Sequence, residues 1–397
     1  MSSPLDVKPL DFASAPPAAE WNALLARGMT DVVFLTREYQ EAWWQSLGAN
    51  QDGCCRLTIL GLYEGGSLVG LAPFYLAPVR PADLVEEAER RVESTRVQAF
   101  ARHDARAGHA PPPAEPAIAA SALPVPAAGE RMVRLGGGVA VTDYLDLICP
   151  PDRARAAWRA VLDYWAARAE EWDVIDLHSL PPKSPSRAIV LEEAQARAWE
   201  AWSEIEETCP ALKLPAHDWE AYLSHLSKKD RHELRRKMRR AESAPEPPAW
   251  RLVTDPAALP AALDEFIALH KRSGAAKAAF MGPLMEDFFH RLLTGMAHTD
   301  WPEIALLDLA GTPVAAYLSF NYHGRIYLYN SGYDPAHHDL GTGFVLLVHR
   351  IAAAVEAGTP AFDFLRGDER YKYNLGGHDH YLHRVVVRRT PTVQDLH

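Results

Sequence analysis

The stretch 326–365 limits the fold more sharply than any other part of this chain. A strand-like run, Ile326 to Tyr333, leads into a polar loop holding His338, Asp339, Leu340, Gly341, Thr342 and Gly343. An apolar helix, Gly343 to Ala357, starts directly after it, and a second strand-like run, Ala361 to Leu365, follows. Two strands joined by a helix predict a parallel pair with a right-handed crossover. The helix start also predicts an anion site, because the first N–H groups of a helix lack partners and carry partial positive charge. Glycine there lets the backbone come close to a bound group. A pyrophosphate-bearing donor would sit at the edge of such a crossover. The competing reading is that Gly341 and Gly343 only shape a tight turn, since short glycine motifs are common.

Around this segment, apolar runs separated by turns predict an antiparallel run: Ile304 to Leu309, a turn at Gly311, Val314 to Tyr322, a turn at His323-Gly324, then Ile326 onward. Upstream lie a short amphipathic helix (Asp218 to Leu226), a basic helix (Lys229 to Ser243), a strand (Trp250 to Thr254) and helices at Ala257 to Lys271 and Pro283 to Ala297. A last strand, Tyr381 to Arg389, completes the order β-α-α-β-β-β-α-β-loop-β. The earlier half reads as a helix, Arg37 to Leu47, a hairpin of Arg56 to Tyr63 and Leu68 to Ala77, strands at Met132 to Leu135 and Tyr144 to Ile148, a helix at Arg153 to Ala169 and a strand at Val174 to His178. Trp43 and Trp44 on the first helix read as packing residues. Pro81 to Arg106 reads as a charged helix, and the Pro/Ala tract Ala110 to Gly129 cannot bury a core. The expected class is α/β with mixed α+β sheets. The expected division is a tail at 1–29, a first domain at 30–208 with an insertion at about 108–130, and a second domain at 209–397. Both halves mix hairpins with helices, so a distant duplication is conceivable.

Charge and cysteine content narrow the function classes. Forty-one Lys and Arg stand against 52 Asp and Glu, a net charge of −11, which argues against a nucleic-acid coat protein. Cys54, Cys55, Cys149 and Cys209 form no Cys-x-x-Cys pair and read as reduced thiols, as in a cytoplasmic protein. The first twenty residues lack the apolar core of a secretion signal, and no apolar stretch is long enough to span a bilayer. The local exception is the basic helix, with Lys228, Lys229, Arg231, Arg235, Arg236, Lys237, Arg239 and Arg240. It is either a solvated face or a contact for an anionic partner, namely a phosphorylated or nucleotide-linked acceptor, tRNA, or an anionic membrane surface.

The loop His338-x-x-Gly341-x-Gly343 resembles the Gln/Arg-x-x-Gly-x-Gly/Ala motif with which GNAT enzymes cradle the pyrophosphate of acyl-CoA, with His in place of the first Gln or Arg. The run Phe362-Asp363-Phe364-Leu365-Arg366-Gly367-Asp368-Glu369-Arg370-Tyr371-Lys372-Tyr373 is similar to the CelD/BcsL acetyltransferases associated with cellulose and exopolysaccharide, a GNAT branch related to FemAB-like transferases. Tyr371-Lys372-Tyr373-Asn374-Leu375-Gly376-Gly377 resembles the aromatic-Lys-x-x-aromatic-Gly-Gly segment of FemAB proteins, with Leu375 replacing the second aromatic. Asp143-Tyr144-Leu145-Asp146, Cys209-Pro210-x-Leu212-x-Leu214-Pro215 and the basic helix resemble that branch too. The resemblance covers most of the chain from about Thr30 and is strongest from Pro210 to Val387. It implies two tandem GNAT-like domains and acyl-CoA, acetyl-CoA in the simplest case, as co-substrate, with no metal.

Acyl transfer needs a base, oxyanion donors and an acid for the leaving thiolate. The resemblance assigns the oxyanion donors to backbone N–H groups of the strand Ile326 to Gly332. The loop after the crossover offers Asp368 and Glu369 as candidate bases, Tyr371 or Tyr373 as candidate acids, and Lys372 as a charge stabiliser; the bland alternative is that these residues pair with one another or pack. Arg235, Arg236, Tyr329, Arg366 and Tyr373 are the candidate acceptor-binding residues, and His338 to Gly343 the donor-binding set. His378, Asp379, His380 and His383 do not match a zinc spacing and read instead as lining an acceptor cleft. The first reading is therefore acylation of an amine or hydroxyl on a small-molecule or glycan-precursor acceptor, with peripheral contact to membrane or envelope machinery. The alternatives are FemAB-like aminoacyl transfer from charged tRNA and a degenerate, non-catalytic GNAT module. The first domain, whose Gly136-Gly137-Gly138 is placed differently, is expected to shape the acceptor cleft rather than bind donor.

Overall fold

A computed structural model describes residues 5–49, 54–81, 83–84, 124, 126–138 and 141–389. The chain divides into two units, 1–208 with 381–397, and 209–380. Each is built on one mixed sheet, so the expected α/β class with mixed sheets is what the chain adopts.

In the first unit the strands are β1 (Asp6–Leu10), β2 (Arg56–Glu64), β3 (Ser67–Pro78), β4 (Arg131–Leu135), β5 (Val174–Leu180) and β6 (Glu200–Thr208), joined by β13 (Tyr381–Arg388) from the far end of the chain. Their order is β1-β2-β3-β4-β5-β13-β6. Its helices are α1 (Ala18–Leu25), α2 (Arg37–Trp43), α3 (Ala154–Ala166) and α4 (Ser186–Ala196).

The second unit holds β7 (Ala211–Lys213), β8 (Ala249–Val253), β9 (Pro302–Leu309), β10 (Thr312–Tyr322), β11 (Arg325–Tyr333) and β12 (Ala361–Asp363), in the order β7-β12-β11-β10-β9-β8. Its helices are α5 (Trp219–His225), α6 (Lys228–Glu242), α7 (Leu259–Arg272), α8 (Ala275–Phe280), α9 (Pro283–Gly295), α10 (Thr342–Glu356) and α11 (Arg370–Asn374). As the crossover argument requires, β11 and β12 are parallel. One sheet face packs Leu307, Ile326 and Phe362 against Leu223, Leu234, Val345 and Ile351 of α5, α6 and α10. The other carries Phe320 and Tyr329, which meet Phe289 of α9, itself edge-on to Phe266 of α7. Burial on both faces explains why β9–β11 read as near-continuous apolar runs.

The order β9-β10-β11-α10-β12 repeats β2-β3-β4-α3-β5, including the parallel pairing of the last two strands. In the first unit the space beyond the short β4–β5 pairing is filled by the chain itself. Leu145 N–H donates to Ser179 C=O at 2.9 Å, Tyr39 O–H to Val141 C=O at 2.7 Å, and Trp43 lies where a Cβ on Gly138 would meet its Nε1 at 2.8 Å.

Several elements differ from the sequence expectations. Residues 5–29, expected as a tail, supply β1 and α1. Trp21 is fully buried with its indole N–H on Leu35 C=O at 2.8 Å. The edge strand β1 shows no apolar alternation, so its pairing with β2 was invisible locally. Tyr144 to Ile148 is not a strand. It makes only an isolated bridge from Ile148 to Leu71. Between Leu180 and Cys209, where the sequence reading placed no element, lie α4 and β6. The last strand, expected to complete the second domain, pairs with β5 and β6 in the first unit. Arg384 there donates to Asp176 Oδ1 at 2.8 Å, and His178 sits between Asp176 at 2.9 Å and Glu206 at 2.6 Å, tying three neighbouring strands together. The expected charged helix at Pro81 to Arg106 and the Pro/Ala tract fall almost entirely outside the described residues.

Candidate active site

Strands β11 and β12 pair only at Arg325–Ala361, Ile326–Phe362 and Tyr327–Asp363. Beyond Tyr327, β11 runs on to Tyr333 without β12 beside it, leaving a wedge-shaped gap on that edge. Within it β11 carries a bulge: Leu328 faces Ser319 and Asn330 faces Leu318, so Tyr329 has no opposite residue. A bulge breaks the ladder and re-aims backbone groups, and bulges concentrate beside functional sites. Part of the edge is occupied from within. Ser331 N–H donates to Asn330 Oδ1 at 2.8 Å, and Tyr333 N–H to Ser273 Oγ at 2.8 Å.

The loop after β11 forms a 3-10 turn over Pro335–Leu340 and ends on Gly341, whose φ of 63° and ψ of 43° are left-handed. Only glycine takes that conformation freely. Helix α10 then begins with no capping side chain, so its first N–H groups are available to an anion. Thr342 is 2% exposed, and its Oγ1 has no partner among the described residues. A Cβ on Gly343 would meet only Tyr317 Oη, at 3.7 Å, so the approach is open. His338 and Asp339 are exposed and lie 3.2 Å apart, while Leu340 is partly buried. The residues expected to bind a donor, His338 to Gly343, thus form a contiguous turn at the helix start, with His338 and Asp339 exposed.

The loop after β12 closes the other side. Lys372 is 2% exposed, and its Nζ donates to the carbonyls of Leu365 at 3.0 Å, Arg366 at 2.6 Å and Gly367 at 3.0 Å and lies 2.9 Å from Glu369 Oε2. Its ammonium is saturated by the loop, which makes Lys372 the anchor that shapes residues 365–369. Glu369 is exposed apart from that contact. Burial, the neighbouring Tyr317 phenol and the Glu369 charge all push the Tyr371 pKa upward, so Tyr371 stays protonated and does not serve as a base. Tyr317 is raised by burial and by Glu369, and donates to Gly343 C=O at 3.2 Å. Tyr317, Tyr371 and Glu369 therefore share one electrostatic neighbourhood at the start of α10.

Other candidates lie elsewhere or are already engaged. Tyr373 O–H donates to Asp379 Oδ1 at 2.9 Å, and Asp368 and Arg366 are partly buried. Tyr329 packs between Phe289 and Phe320, with ring centroids at 5.8 and 5.5 Å. Arg236 pairs with Glu233 at 2.7 Å. Arg235, paired with Glu220 at 2.8 Å, lines a separate groove of about 330 Å³ with Trp219, Met238 and His349. Among the described residues no cluster of His, Cys, Asp or Glu is arranged to hold a metal, and no helix is long and apolar enough to cross a membrane.

Sequence reasoning missed Tyr317, His270 and Lys277. Lys277 Nζ donates to Ser331 C=O at 2.5 Å and Oγ at 3.0 Å, and His270 Nε2 lies 3.1 Å from Asn330 Oδ1. Burial and the Lys277 charge bring His270 down to about 4, so it is neutral. Nothing in the Ala-rich stretch around Lys277 or in the helical spacing of His270 signals a position against β11.

Residues 228–373 match the acetyltransferase (GNAT) domain family. The matched GNAT segment runs from the start of α6 through most of α11 and so contains the wedge, the Gly341 turn and the Lys372 loop. No curated protein matches the chain. Among solved structures, FemX superposes with a TM-score of 0.57 at 10% identity over 96% of each chain, so the two share a fold across nearly their whole lengths. A conserved protein of unknown function from Bacteroides thetaiotaomicron gives a TM-score of 0.48 at 10% identity over 97% of this chain and 100% of that one. A tandem GNAT protein from the clavulanic acid biosynthesis pathway gives 0.46 at 12% identity over 98% and 99%.

Proposed function

We propose that this chain transfers an acyl group, acetyl in the simplest case, from acyl-CoA to an amine or hydroxyl of a small-molecule or glycan-precursor acceptor in the cytoplasm. The observation that carries this reading is the wedge between β11 and β12, which leads onto the uncapped N-terminus of α10 at Gly341. The residues present suit such a donor. Where Asn330, Lys277 and Ser273 do not occupy it, the edge of β11 offers backbone hydrogen bonds to an extended amide-containing arm, and the helix start offers N–H groups to a pyrophosphate. The chain's own residues then divide the work. Tyr371, held protonated, gives a proton to the departing thiolate. Glu369, exposed beside it, receives the proton of the attacking amine or hydroxyl. Lys372, next to Tyr371 on α11, holds the 365–369 loop that carries Glu369. The 362–377 resemblance to the CelD/BcsL branch is the reason to favour acceptors related to exopolysaccharide or the cell envelope.

Calorimetric titration with acetyl-CoA tests the reading. Saturable binding is expected in the wild type, and a loss of at least about tenfold in Gly341→Glu, which places a strained, anionic side chain at a left-handed position facing the anion site. A wild type that binds no acyl-CoA ends it and leaves aminoacyl transfer from charged tRNA or the degenerate module.

A second reading, FemAB-like aminoacyl transfer from charged tRNA, is favoured by the exposed cations of α6. Lys228, Lys229, Arg239 and Arg240 are exposed on one helix, beside the ion-paired Arg235 and Arg236. Salt-sensitive tRNA binding that disappears when Arg235, Arg236 and Arg239 are neutralised supports it. Indifference to tRNA at low salt removes it.

A further inference from the structure

The GNAT domain contains a partly buried cation that no carboxylate neutralises. Lys277, on the short α8, lies against β11 inside the wedge-bearing stretch. Two of its three ammonium protons go to one residue, Ser331, at the carbonyl and the hydroxyl. No Asp or Glu oxygen lies within ion-pairing distance of it among the described residues. Glu369, whose charge reaches Lys277, is held by Lys372 instead. The remaining surroundings are the neutral His270 and the ring of Tyr333, 6.0 Å from Nζ. A desolvated ammonium with no counter-ion is costly, and burial indeed pulls the Lys277 pKa below its ordinary value. Compensation by an incoming anion is the ordinary reason for keeping such a group beside a reacting centre. Donor pyrophosphate has its own place at the start of α10, so the anion left for Lys277 belongs to the acceptor.

We propose that Lys277 selects acceptors bearing an anionic group, a carboxylate or a phosphate, close to the amine or hydroxyl that is acylated. This rests on the acyltransferase reading above and deepens it by naming the acceptor class. Ser331 orients the ammonium, and its third N–H meets the acceptor anion. Two oxygens of a carboxylate or phosphate serve equally as acceptors of that bond.

The test uses the full chain and three small amines of matched length: ethanolamine, β-alanine and O-phosphoethanolamine. Each is titrated calorimetrically into wild type, Lys277→Gln and Lys277→Arg with saturating CoA present, and acetyl-CoA binding is measured on all three proteins. The wild type is expected to bind one or both anionic probes at least about tenfold more tightly than ethanolamine, the scale of one charge-assisted hydrogen bond. Lys277→Gln should erase that difference in a protein that still binds acetyl-CoA, and Lys277→Arg should restore most of it. β-Alanine and O-phosphoethanolamine distinguish a carboxylate acceptor from a phosphate one. Equal binding of all three probes by the wild type, or a preference that survives Lys277→Gln, overturns the proposal even if acetyl-CoA binds normally. Loss of acetyl-CoA binding in the wild type overturns the underlying acyltransferase reading instead. Thermal unfolding of Lys277→Gln separates a mere staple of α8 onto β11, which would lower stability without altering probe preference.

Discussion

At the residue scale, the behaviour of the second unit turns on a few side chains whose surroundings are fixed by β11. His270 is nearly fully buried against that strand, and a Cβ on Gly332 would lie 2.4 Å from the His270 backbone nitrogen, so α7 and β11 touch backbone to backbone there. With no room for hydration, His270 titrates near 4 instead of 6.5. The sign follows by linkage. Between those two values the unfolded chain binds a proton that the folded chain refuses, so stability is complete above pH 6.5 and falls as pH drops toward about 4. The group's share is on the order of 2 kcal/mol, a discounted reading of the shift. Urea unfolding across that range should show a shallower pH slope in His270→Gln than in the wild type. Identical slopes would mean that the ring is hydrated in solution.

At the element scale, α10 does two jobs that pull in different directions. Its N-terminus has no capping side chain, which leaves its first N–H groups to an anion under the proposed reading and forfeits the roughly 1 kcal/mol a capping side chain supplies. Its body is held by packing and by one buried ion pair, between Arg350 of α10 and Glu303 of β9, where Asn321 Nδ2 also reaches Glu303 Oε1 at 3.3 Å. Both residues are at most 4% exposed. Arg350→Ala leaves a buried carboxylate without its partner and should cost about 3–5 kcal/mol. A paired replacement, Arg350→Met with Glu303→Leu, should recover most of that loss. Thermal denaturation of the two variants checks this. A single variant as stable as wild type would show that Glu303 is reached by water.

At the scale of the whole molecule, the chain returns to its first sheet after building its second. Strand β13 lies between β5 and β6, with hydrogen-bonded neighbours on both sides. Its Arg384 neutralises the fully buried Asp176, whose carboxyl is held well below its usual range by the Arg384, His178 and Arg134 charges despite burial. Truncation after His380 therefore removes an interior strand of the first unit and strands a buried carboxylate. All six strands of the second sheet lie before the cut. Limited proteolysis of the truncated protein should cleave within residues 5–208 far faster than in the full chain, while 211–378 stays protected. Protection of both segments would mean that β5 and β6 close on each other without β13.

The sequence by itself determined the local frame of the site. The short apolar runs at 304–333 with turns between them, the glycines at 341 and 343 and the apolar helix after them specify β-β-β-α-β by run length and turn chemistry, because each of those signals acts within a few residues. It also placed Tyr371, Lys372 and Glu369 on one loop. What it left undecided are facts of long-range pairing. The sheet that takes β13 is set by register with strands some two hundred residues earlier. The saturation of Lys372 by three carbonyls depends on the path of the loop, and the arrival of Lys277 and His270 beside β11 depends on how α7 and α8 cross the sheet. Those contacts have no local periodicity to announce them; only the packing of the folded chain brings the residues together.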